Sequence, residues 1–80
     1  MHPATAQILR FFEYDHLPEG EGREISYQFH NLAVGLADNL PEDPETTIAL
    51  RKLLEAKDAS VRAALVGEGV ITSYEPQNDR

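Results

Sequence analysis

The chain has no cysteine, which excludes disulfide bridges and thiolate-held metals and fits a reducing compartment. Its three histidines, His2, His16 and His30, do not fall at metal-ligand spacing, and no metal or cofactor is expected. No apolar run approaches the roughly 20 residues that cross a bilayer. The N-terminus lacks the basic-then-apolar order of a secretory signal. No glycine loop suits a phosphate, since Gly20 and Gly22 match no such pattern. Ser26, Ser60 and Ser73 lack the surroundings of a nucleophilic serine, so the chain does not read as an enzyme. Positive charge is also scarce. Seven basic residues face fourteen acidic ones, a formal net charge of -7, which argues against long nucleic acid, where a basic face is needed. These absences together predict a soluble, cytoplasmic protein without a membrane or nucleic-acid partner.

What is present is short and helical in pattern. Eighty residues make one domain at most, read here as residues 1–80. A chain of this length buries a small share of its surface and usually needs a staple. With disulfides and metals excluded, oligomerisation is the staple that remains.

Ile25, Phe29, Leu32, Ala33, Leu36, Ala37 and Leu40 recur at helical period, predicting a first long helix over residues 21–40. Gly35 sits within that stripe and would permit another helix to come close. Pro41 ends the helix. Asp43, Pro44 and Glu45 form an N-cap, a first-turn proline and a favourable charge for a second long helix over 44–66. A link this short makes the two helices antiparallel neighbours. Leu50, Leu53, Leu54, Val61 and Leu65 form the large apolar face of the second helix. Ala49, Ala56 and Ala63 form a seam along which a helix would pack closely, and Gly67 is placed to terminate it.

Ahead of the hairpin, residues 1–10 include a short helical turn. Phe11, Phe12 and Tyr14 follow as an aromatic strap, broken by Pro18, Gly20 and Gly22. The tail from 67 to 80 is partly flexible, with a short strand-like run at Val70, Ile71 and Thr72. The predicted fold is therefore all-α: an antiparallel two-helix hairpin with an N-terminal aromatic strap. One partner helix cannot cover both the leucine face and the alanine seam, and the remainder is an interface. A homo-oligomer follows, a dimer or an assembly of dimers.

Charge is unevenly placed. Residues 46–66 hold Arg51, Lys52, Lys57 and Arg62 against Glu55 and Asp58, a net +2, which leaves -9 on the rest. A small anion can find a local positive site there. Arg51, Glu55, Asp58 and Arg62 share one helix face. Either carboxylates steady a pair of arginines for phosphate, or the four form a solvated ladder of weak ion pairs. Tyr14 and His16 either stack on a base and bond a phosphate or belong to a segment that covers the hairpin. His30 either edges an anion pocket or is a half-buried surface residue.

The stretches "FFEYDHLP", "ISYQFHNLA" and "ALRKLLEAKDASVRAAL" resemble the small phage helical-hairpin proteins that counter CBASS and Thoeris bacterial immunity. The similarity runs from Phe11 to Leu65 and is strongest to an actinobacterial and actinophage branch. The resemblance implies a homo-oligomeric sponge that binds cyclic di- or trinucleotides, or cyclic ADP-ribose isomers, between subunits without cleaving them. In a phage-encoded protein it implies action in the host cytoplasm. By position it makes Tyr14 the ligand-contacting tyrosine, places His30 near a phosphate-binding lysine, and gives Arg62 a basic role. The ligand set expected from residues and resemblance together is Tyr14, His16, His30, Arg51, Lys57 and Arg62. The chain departs from the family in two places: Lys57–Asp58 stands where the family carries methionine–tryptophan, and a histidine replaces the lysine. The alternative is an oligomeric hairpin that serves as a protein-interaction or structural module with no nucleotide ligand.

Overall fold

The computed structural model describes residues 3–69. Every regular element among them is helical. α1 spans Pro3–Leu9 and runs into a 3-10 turn at Arg10–Phe12, while α2 spans Glu21–Asn39 and α3 spans Pro44–Gly67. The all-helical class and the two long helices agree with the sequence reading. Their ends differ by one residue, with α2 stopping at Asn39 and α3 reaching Gly67. The first segment differs more. It is a third helix that stays helical through Phe12, so the aromatic stretch begins inside it. The tail beyond residue 69, including Val70, Ile71 and Thr72, lies outside the described residues. No helix among the described residues is long and apolar enough to cross a membrane.

The link between the long helices forms as its residues dictate. Leu40 is extended (φ -96°, ψ 150°), as a residue before proline must be. Asp43 caps α3, its carboxylate accepting from the Glu45 N–H at 2.8 Å, and the Thr46 hydroxyl donates to the Pro41 carbonyl at 2.7 Å. At the far end Gly67 stays helical, and Gly69 (φ 78°) takes the left-handed turn expected of Gly67.

α2 and α3 pack antiparallel, so the start of α2 meets the end of α3. A methyl group added at Gly22 would lie 3.6 Å from Leu65 and 3.7 Å from Val61. Gly22, Ser26 and Ala33 are buried along this face of α2. The bulky stripe of α3 therefore meets small residues of α2. Ala49, Ala56 and Ala63 lie exposed, because Leu50, Leu54, Val61 and Leu65 already occupy the inward side of α3. Among the described residues nothing outside its own helix lies within 4 Å of where a methyl group on Gly35 would sit.

The core is small. Ile8 and Phe12 from the first segment meet Ala33 of α2 and Leu50 of α3, with Phe29, Leu36, Ala37, Leu53 and Leu54 packed around them. Phe12 is fully buried, whereas neighbouring Phe11 is 63% exposed. The Ser26 hydroxyl is buried among these helices without a hydrogen-bond partner among the described residues.

The first segment covers one side of the hairpin. It touches α2 through Tyr27 and His30, and Thr5 shares a groove with Thr47 and Arg51 of α3. At about 3.6 residues per turn, Ile25, Phe29, Leu32 and Leu36 lie on the opposite flank of α2. Ala49, Leu53, Ala56 and Ser60 lie on the matching flank of α3. On this second side Ile25, Phe29, Leu36 and Leu53 are partly buried, while Leu32, Ala49 and Ala56 are exposed. Leu32, expected in the core stripe, is 51% exposed there, and Leu40 at the end of α2 is 39% exposed.

Two substitutions measure the core. Phe12→Ala should cost about 3–5 kcal/mol, a large part of the 5–15 kcal/mol typical of a domain. Phe11→Ala should change stability by less than about 0.5 kcal/mol. Urea midpoints distinguish them, and equal losses would contradict the packing described. Gly35→Ala should raise the melting temperature, because an alanine in a helix is favoured by up to about 1 kcal/mol and meets no obstacle here.

Candidate functional site

Arg23, Tyr27 and His30 occur on α2 at steps of four and three, which stacks them on one flank. Tyr14 is laid across that flank by the end of the first segment. Phe12 closes the 3-10 turn, and Glu13 leaves it extended (φ -64°, ψ 144°), which carries the chain toward α2. The Tyr14 ring stands edge-to-face against Tyr27 at 4.9 Å and against His30 at 5.1 Å. The Arg23 guanidinium lies 6.0 Å from the Tyr14 ring centre, at the outer limit of a cation–π contact.

This cluster borders an open groove of about 770 Å³. Tyr14, Tyr27 and Arg23 line it beside four carboxylates, Glu19, Glu21, Glu24 and Glu68. One guanidinium against four carboxylates makes the groove acidic. Its aromatic surface suits a flat ring, and its rim repels phosphate.

Glu68 has a second duty here. Its carboxylate accepts the Glu21 N–H at the start of α2, doing from 47 residues away what an N-cap side chain does locally. Gly20 makes room for it. The glycine sits at φ 145°, and a methyl group on it would lie 3.0 Å from a Glu68 oxygen.

The six residues expected to bind ligand do not form one site within the chain. Tyr14 and His30 come together. Lys57 lies nearby on α3, but its ammonium donates to the Phe11 carbonyl at 2.8 Å and sits 3.7 Å from the Asp58 carboxylate. His30 is similarly engaged, with Nδ1 at 3.2 Å from the Phe12 carbonyl. His16 is exposed in the turn after Tyr14. Arg51 lines a separate groove of about 480 Å³ between the starts of α1 and α3. Arg62 is exposed on α3. Among the described residues Arg51, Glu55, Asp58 and Arg62 form no ion pair with one another; the pair that forms there is Lys57–Asp58.

Sequence reasoning missed Arg23, Tyr27 and Glu68 as members of the groove. The spacing of Arg23, Tyr27 and His30 was visible, but only the position of Tyr14 gives that flank a meaning. Glu68 carries no local signal, because its partner lies at the opposite end of the hairpin. No group of His, Asp or Glu among the described residues is arranged to hold a metal ion. No protein-family model, curated protein or solved structure matches the chain.

Glu68→Ala should destabilise the fold by about 1 kcal/mol, the usual worth of an N-cap acceptor. Glu68→Gln, which keeps an acceptor, should cost less. Thermal melts of the two variants test this, and a Glu68→Ala variant as stable as the parent would remove the cap from the account.

Proposed function

We propose that the chain is a non-enzymatic, self-associating binder of a small cyclic nucleotide: a cyclic di- or trinucleotide or a cyclic ADP-ribose isomer. By holding such a signal it counters bacterial anti-phage defence in the host cytoplasm, as the resemblance to the phage hairpin sponges implies. The supporting observation is the convergence of Tyr14 and His30, sixteen residues apart in sequence, with their rings 5.1 Å apart beside an open groove. A tyrosine in that position offers a stacking face to a base.

The acidic rim disfavours phosphates, so on this reading they bind elsewhere. Arg51 and Arg62 are the exposed cations from the expected set, and neither lines the Tyr14 groove. On this reading the site closes between copies, an aromatic surface from one and α3 cations from another, with the first segment acting as a strap that presents Tyr14. The second side of the hairpin supports self-association. Ile25, Phe29, Leu32, Leu36, Leu53 and the alanines of α3 form an uncharged face of the kind that soluble proteins cover.

The same acidic groove and open face also favour a second reading, a protein-interaction module with no nucleotide ligand. On that reading no nucleotide has an effect and the apolar face takes another protein.

Thermal melting against a panel of cyclic dinucleotides, cyclic trinucleotides and cyclic ADP-ribose isomers separates the two. A ligand at 100 times its Kd stabilises by about 2.7 kcal/mol, a shift of roughly 10 °C or more for a chain of this size. The bound nucleotide should be recovered intact after denaturation. A flat response across the panel rejects the nucleotide reading. Leu32→Lys should reduce the solution mass to that of one 8.9 kDa chain. A wild-type mass already equal to one chain rejects self-association in both readings.

A further inference from the structure

We propose that His30 is a positioning residue for Tyr14, acting with Lys57 as a two-point clamp on the end of the first helical segment, and not a group that meets a ligand phosphate. This rests on the reading of Tyr14 as the ligand-contacting tyrosine.

The last carbonyls of a helix have no partner within it. Here two consecutive ones are taken by side chains from two different helices. The Phe11 carbonyl accepts from Lys57 of α3 at 2.8 Å, and the Phe12 carbonyl accepts from His30 of α2 at 3.2 Å. The Phe12 side chain is fully buried, so the same peptide is fixed from its side chain and from its carbonyl. The direction in which the chain leaves the 3-10 turn is then set, and Tyr14 follows two residues later. A cation at a helix C-terminus is also favoured by the helix dipole, which suits Lys57 to its half of the clamp.

The bond to the backbone is the part of His30 that acts. A carbonyl can only accept, so Nδ1 must carry the hydrogen. Beyond that turn the Tyr14 ring settles against Tyr27 at 4.9 Å and beside the imidazole at 5.1 Å.

Two substitutions separate donor from ring. His30→Asn keeps an N–H donor near the position of Nδ1 and removes the ring. His30→Phe keeps a ring and removes the donor. In the free protein, proton NMR should show contacts between the Tyr14 and Tyr27 rings in the parent and in His30→Asn, and their loss in His30→Phe. Lys57→Met, which removes the other donor, should weaken them too and serves if His30→Phe does not fold. With the tightest nucleotide of the panel, His30→Asn should stay within about threefold of the parent Kd, while His30→Phe should lose about tenfold or more, the worth of one hydrogen bond.

The proposal is overturned if His30→Phe, or Lys57→Met in its place, leaves the Tyr14–Tyr27 contacts unchanged. It is also overturned if His30→Asn, which keeps the donor, loses as much affinity as His30→Phe. A panel with no binder rejects the nucleotide reading by itself, and the ring contacts in the free protein still decide the role of His30.

Discussion

Phe12 is the residue on which the arrangement depends. The hairpin of α2 and α3 supplies only two of the four buried apolar core residues, Ala33 and Leu50, and the first segment supplies the other two, Ile8 and Phe12. Burying a phenylalanine is worth about 1.5–3 kcal/mol, a large share of the stability available to so small a core. Once Phe12 is seated, its neighbours are sorted by geometry. The Phe11 ring turns outward, and the two carbonyls meet Lys57 and His30. Tyr14 is laid against α2. The packing of one side chain thus decides where the groove lies and which residues border it.

The molecule is asymmetric about its long helices. One side carries the first segment, the polar clamps and the acidic aromatic groove. The other is an uncharged face of leucines, phenylalanine, isoleucine and alanines, partly buried and partly exposed. The physical reason lies in the supply of helix. Two long amphipathic helices expose two sides, and ten residues of first segment are enough to cover one. The proposed sponge, assembled from several copies, draws on both sides. A protein-binding module would present the same two sides, and the charge of the groove is where the readings part.

Several features were legible in residues alone. Asp43, Pro44 and Glu45 announced the start of α3, and Pro41 the end of α2. Tyr14 and His30 were both singled out, and they do meet. Other features were not legible. The glycine that faces the partner helix is Gly22, and its fit is visible only beside Leu65 and Val61. The charge of Lys57 was visible, whereas the carbonyl that engages it was not.

What the sequence determined by itself is the part governed by short range. Helical period, proline and cap residues place α2 and α3 to within a residue, since those preferences act between neighbours a few positions apart. Tertiary structure decided everything that joins distant positions. It made the first segment a packed third helix and set Glu68 on the start of α2. It brought Arg23 and Tyr27 to Tyr14 and turned His30 and Lys57 inward to backbone carbonyls. Contacts of that range depend on which of several apolar faces wins the interior, and that contest is settled only when the whole chain packs.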